Sequence, residues 1–115
     1  MQSVKVVFHI DEVDKWPLLL ANVRNLVKAV DLASSHIMVL TNAKAVLAFD
    51  GNALLNHIDG IEALAGKKVV FAVCQNSLNG SGMAVDSLPE YVKVVPVGVL
   101  TLIEKQADGF AYIKP

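Results

Sequence analysis

The chain has 115 residues, a formal net charge of −1, one cysteine and an apolar share of 54%. Its length suits one domain of about 100–150 residues, and its scattered Lys and Arg form no basic stripe for nucleic-acid phosphates. A single cysteine excludes an internal disulfide and a cysteine-built zinc cage, and no apolar run approaches the ~20 residues that span a bilayer.

The opening residues Met1 to Lys5 run directly into a strand-like segment without a small-residue cleavage site, so a cytoplasmic location is expected. Average soluble chains reach about 45–50% apolar residues with Gly included. A small domain above that level has more apolar surface than one core hides, so a homo-oligomer is expected as well.

Val4 to Ile10 is β-branched and apolar and reads as a mostly buried strand. A helix follows, with Asp14 as a candidate cap and Pro17 in the first turn, where a missing N–H costs little. Trp16, Leu19, Val23, Leu26, Val27 and Val30 form its apolar stripe, opposite Arg24 and Lys28. A second strand spans His36 to Thr41. Ala43 to Phe49 fits either a returning hairpin strand or a short helix. Propensity favours helix, with Asn42 as its cap and Asp50-Gly51-Asn52 as its stop. Another short helix is predicted from Asp59, where Asp-Gly-Ile-Glu has capping-box spacing, to Gly66.

Lys68 to Cys74 is continuously apolar after its first residue, as a central parallel strand covered on both faces would be. Gln75 to Leu88 reads as a long connection containing Asn-Gly and Ser-Gly, a length unusual unless functional. Tyr91 to Pro96 is a fourth strand. Val99, Leu100, Ile103 and Ala107 mark a helix ended by Asp108-Gly109, and Phe110 to Ile113 is a short closing strand. This alternation predicts one α/β domain over residues 1–115, three layers deep, with a five-stranded, mostly parallel sheet between helices.

Ligands of open α/β sheets bind beyond the carboxyl ends of the strands. Those ends carry His9-Ile10-Asp11-Glu12, Thr41-Asn42, Cys74-Gln75-Asn76-Ser77, Pro96-Val97-Gly98 and Lys114. Cys74 is the leading candidate. A thiol attacks as thiolate, and nearby backbone N–H groups favour that form. Asn76, Ser77, Asn79, Gly80, Ser81 and Gly82 would supply an anion-binding nest in the loop. The bland alternative is a buried cysteine acting as a small hydrophobe, with Asn76 and Ser77 merely satisfying turn backbone. His9, Asp11 and Glu12 hint at a metal, but no second cluster of ligand residues accompanies them. His36 and His57 read as surface residues. A cysteine hydrolase would need His9 to approach Cys74 across the sheet. No G-x-G-x-x-G or Walker A sequence is present, and the acidic loop after the first strand repels a nucleotide phosphate. A receiver-domain phosphoacceptor would need aspartate where Cys74 stands.

Several segments together resemble the DsrE/DsrF-like family, whose fold is called YchN-like. They are Val6 to Asp11, Leu20 to Leu26, Val70 to Leu78, Leu88-Pro89, Val94 to Val99 and Gly109 to Pro115. Within Val70 to Leu78, Cys74-Gln75-Asn76-Ser77-Leu78 looks like the Cys-x-Asn-Ser/Thr-Leu stretch of one branch. The resemblance implies a five-stranded, mostly parallel sheet, a helix after Thr41, and dimers, trimers or hexamers. It also implies a sulfur carrier in which Cys74 forms a persulfide between a donor and an acceptor protein, without a cofactor. Asn76, Ser77 and Gly98 would shape the pocket, and His9, Asp11 and Asn42 would line neighbouring strand ends. Asn79-Gly80 and Ser81-Gly82 stand where sulfur-relay members carry an Arg-Gly pair. The other reading is a non-enzymatic oligomeric module that binds a small ligand, with Cys74 in its core. The carrier reading needs the sulfur to be reachable at a polar rim.

Overall fold

The computed structural model describes residues 1–50 and 57–115. Five strands form one sheet: β1 Lys5–Ile10, β2 His36–Thr41, β3 Val69–Cys74, β4 Val92–Val95 and β5 Ala111–Ile113. The order is β4-β3-β2-β1-β5, and every pairing is parallel. Among the described residues four α-helices accompany them: α1 Trp16–Ala29, α2 Ile58–Ala65, α3 Gln75–Gly80 and α4 Gly98–Ala107.

From β1 to β4 the chain advances one strand at a time toward one edge. Right-handed crossovers then place the intervening elements on one face. Val6, Phe8, Val39, Phe71 and Val73 on that face pack with Trp16, Leu19 and Val23 of α1 and with Ile61 and Leu64 of α2. From β4 the chain must return to β5 at the far edge. The same handedness sends that crossover, α4, over the opposite face. The second core is accordingly small: Val7, Leu40 and Ala72 with Leu102 of α4.

The apolar stripe of α1 is buried as the spacing predicts at Trp16, Leu19, Val23, Val27 and Val30, with Leu20 added and Leu26 half-buried. Its start differs from the prediction. A 3-10 turn, Val13–Lys15, precedes it, and Asp14 makes no capping bond. Ala43–Phe49 is helical, as the resemblance implies, but coiled as 3-10. Asn42 does not cap it, because its side chain is used elsewhere. Of the stop signal, Asp50 closes this segment, while Gly51-Asn52 lie outside the described residues. Helix α2 begins at Ile58 without a side-chain cap, so the Asp59 capping box does not form. The long connection after Cys74 is half helix, because Gln75 to Gly80 coil immediately as α3.

The largest departure is in α4. Val99, Leu100 and Ile103, the residues that mark it as a helix, are 58%, 51% and 58% exposed, while Gly98 and Leu102 face the sheet. The period announces a helix correctly. The stripe points outward because one short helix covering five strands needs only a narrow contact.

Trp16 ties the first helix to the 3-10 segment. It is fully buried, donates from Nε1 to the Ala45 carbonyl at 3.0 Å and meets Phe49 edge-to-face. Trp16→Phe removes that donor and leaves a small void, so urea unfolding should show a loss of about 2–3 kcal/mol.

Candidate functional site

The crossover reversal falls between β3 and β4. Helix α3, after β3, sends Leu78 into the larger core, whereas α4, after β4, lies on the other face. Chains that diverge to opposite faces open a crevice at the carboxyl ends of the two strands, the usual ligand position in open α/β sheets. Cys74 ends β3 on one side of this crevice, and Gly98 begins α4 on the other.

The two touch. Gly98 N–H donates to Cys74 Sγ at 3.3 Å. A Cβ on Gly98 would stand 3.1 Å from Cys74 Cβ and 3.2 Å from Leu40 Cδ1, so only glycine lets the α4 backbone come this close. Cys74 itself is 6% exposed. Burial pushes its thiol up. The N–H of Gly98, the N–H and hydroxyl of Ser77 and the N–H of Asn76 more than offset this, and the thiol lies below its ordinary value. Of the residues expected to form the nest, Asn76 and Ser77 at the opening of α3 are among the anion-stabilising donors and Asn79 to Gly82 are not; Gly98 of α4 adds the third.

A hydrogen-bonded chain leads away from the sulfur across the sheet. Ser77 Oγ accepts the Ala43 N–H at 2.8 Å. With that acceptance made, its hydroxyl hydrogen is left for the sulfur. Ala43 holds φ +50, a left-handed conformation that costs a non-glycine residue about 1–2 kcal/mol. Next to it, Asn42 turns its Oδ1 to His9 Nε2 at 2.9 Å, and His9 Nδ1 meets the Tyr112 hydroxyl at 2.6 Å. An amide oxygen only accepts, so Nε2 carries the hydrogen and Nδ1 accepts from Tyr112 in the neutral ring. Tyr112, His9, Asn42–Ala43, Ser77 and Cys74 thus form one series from edge strand β5 to β3.

The structure therefore gathers Cys74, Asn76, Ser77 and Gly98 at one point, and joins His9 and Asn42 to it through Ala43. Asp11 stands apart, paired with Lys114 at 3.0 Å. Thr41 is fully buried on the other face, alternating with Leu40 along β2, and does not join the site. His36 is exposed and His57 half-buried, both away from Cys74. Both His9 nitrogens are engaged by Tyr112 and Asn42, and β2 separates β1 from β3, so no Cys–His pair exists for a hydrolase. Among the described residues no metal-capable cluster of three or more forms. Sequence reasoning missed Tyr112 and Ala43. Alternation along the closing strand places Tyr112 on the His9 face, but an alanine in a left-handed turn leaves no mark that Asn or Gly would.

Alkylation of Cys74 across pH reads this arrangement directly. Thiolate is the reactive form, so a depressed pKa brings the rate to its plateau at lower pH than in the unfolded chain. Ser77→Ala should raise the midpoint by about one pH unit through loss of a donor to the anion. Ala43→Gly keeps the N–H and relieves the backbone, and should leave the midpoint within about 0.3 unit.

A solved structure of a protein of unknown function, MTH1491 from Methanobacterium thermoautotrophicum, is 36% identical to the chain. It superposes with a TM-score of 0.86 over 98% of this chain and 100% of that one. The ychN protein of E. coli shares the fold at a TM-score of 0.66 and 14% identity, with all of both chains covered. No curated protein matches. The model of the DsrE/DsrF-like family matches residues 21–115. With its parallel five-stranded sheet and this match over most of its length, the chain belongs to the DsrE/DsrF-like family.

Proposed function

We propose that the chain is a sulfur carrier whose Cys74 forms a persulfide. The supporting observation is a thiol held below its ordinary pKa at the β3–β4 crevice by donors from Gly98, Ser77 and Asn76. The Cys74 thiolate attacks the outer sulfur of a donor persulfide. A new S–S bond forms at Cys74, the donor's own S–S bond breaks, and the donor leaves as thiolate. An acceptor thiolate then takes the outer sulfur by the same displacement and frees Cys74 as thiolate. No net oxidation occurs. Asn76, Ser77 and Gly98 hold the anion, and Asn42 with His9 keeps Ala43 aimed at Ser77. Asp11 serves the rim through Lys114 and not the sulfur.

At 6% exposure the sulfur is less open than a carrier's rim cysteine was expected to be. A donor would have to reach it between the first turns of α3 and α4, where Gly98 now contacts the sulfur. The same burial favours a second reading, an oligomeric small-ligand-binding module with Cys74 in its core. Incubation with a persulfide donor and intact mass measurement separates the two. The carrier gains one sulfur atom on the wild type and none on Cys74→Ser; an unmodified wild type leaves the binding module.

We also propose self-association through the outer face of α4, where Val97, Val99, Leu100 and Ile103 stand exposed in one helical segment. Contiguous apolar patches of this kind mark interaction sites. A cytoplasmic location accompanies this reading; among the described residues no helix is long and apolar enough to cross a membrane. Sedimentation should give a mass above 12.3 kDa for the wild type and the monomer mass for Leu100→Lys/Ile103→Lys. A monomeric wild type removes the proposal.

A further inference from the structure

We propose that the amino-terminal end of the sheet carries a second site, a pocket for a small organic anion such as an aryl phosphate or carboxylate. It lies on the α4 face, at the opposite end from Cys74. Helix α4 covers only part of this face, and a cavity of about 230 Å³ remains, lined by His36, Met38, Lys68, Val70, Lys105 and Phe110 among others. Its floor is apolar and its walls are cationic. No carboxylate lines it.

Three observations converge on an anion. First, the ammonium groups of Lys5 and Lys105 both stand over the Phe110 ring, 5.0 and 4.9 Å from its centroid, and His36 tilts against the same ring. One ring softens two like charges only slightly, at about 0.5–1 kcal/mol for each exposed contact. Second, among the described residues the ion pair is Lys114–Asp11, at the other end of the sheet; the cavity-lining Lys68 and Lys105 have no carboxylate at ion-pair distance, while Lys5, outside the lining, donates to the Asp108 carbonyl. In a chain of net charge −1 this is a local reversal of sign. Third, Lys68 is held at φ +71, a left-handed conformation rare outside glycine and asparagine, where it enters β3 beside the cavity.

Size sets the ligand class. The volume is below the roughly 300–1,000 Å³ of drug-sized sites and above the roughly 150 Å³ that accepts benzene, so one ring with one anionic group fits. Met38, Val70 and Phe110 would take the ring, and the lysine ammoniums and the His36 imidazole the charge. The proposal does not depend on sulfur chemistry at Cys74.

Titration of isotope-labelled protein with phenyl phosphate, followed by backbone amide shifts, tests it. Saturable shifts are expected at residues 36, 38, 68, 70, 105 and 110, with an apparent Kd below about 1 mM. Inorganic phosphate should bind at least about tenfold more weakly, and phenol not measurably. Lys68→Asn, chosen because Asn tolerates the left-handed backbone, combined with Lys105→Gln should weaken phenyl phosphate at least about tenfold. Lys105→Gln alone, at a half-buried position in the last turn of α4, should weaken it in the same direction. The proposal falls if phenyl phosphate leaves these amides unmoved, if the double variant binds it undiminished, or if phenol or inorganic phosphate binds as well.

Discussion

The contact of a glycine backbone with a cysteine sulfur depends on the handedness of one crossover. Four strands laid down in succession toward one edge commit their connections to one face. The fifth strand lies at the other edge, and a right-handed return must use the opposite face. The reversal parts the chain between β3 and β4 and brings the start of α4 down beside the end of β3. Gly98 has no side chain to hold the two apart, and its N–H meets Cys74 Sγ. Moving β5 beside β4 would need no reversal, and the crevice would close.

The thiolate at this point is held by neutral donors. No Arg follows the cysteine, and the lowered pKa comes from oriented N–H groups and one hydroxyl working against burial. Fixed dipoles do this without the desolvation cost of placing a full cation nearby. Their orientation has to be maintained by structure, and the hydrogen-bonded series from Tyr112 to Ser77 supplies it. Ala43 is the strained link. Its left-handed turn is sustained by the Asn42–His9 bond on one side and the Ser77 bond on the other. Strain of this kind persists where the surroundings over-determine it.

Most of the architecture was legible in the sequence because it rests on period and punctuation. Five apolar strand segments, the Trp16 to Val30 stripe and the helix before Asp108-Gly109 all appear near their expected bounds. Side-chain caps were not legible. Asp14, Asn42 and Asp59 are good capping residues by type, yet tertiary partners or an earlier helix start leave none of them in that role. Cys74, Ser77 and Gly98 could be named from strand ends alone. Their mutual contact could not, since it depends on which face each following helix takes. Ala43 was invisible for a deeper reason. Its conformation is held by Ser77 and, through Asn42, by His9, both more than thirty residues away in sequence, and not by its own side chain.

The outward stripe of α4 links composition to chemistry. The surplus of apolar residues is not spread evenly: among the described residues, six of the nine exposed large hydrophobic ones lie between Val97 and Ile113, in the last helix and strand and the residue before them. These elements are also those that lean on the site. Gly98 in the first turn of α4 touches the sulfur, and Tyr112 in β5 starts the hydrogen-bonded series toward it. Beneath the stripe α4 rests on a small core of four buried residues, to which it contributes Leu102. The helix that presents the exposed stripe is thus the one whose first residue, Gly98, donates its N–H to Cys74 Sγ.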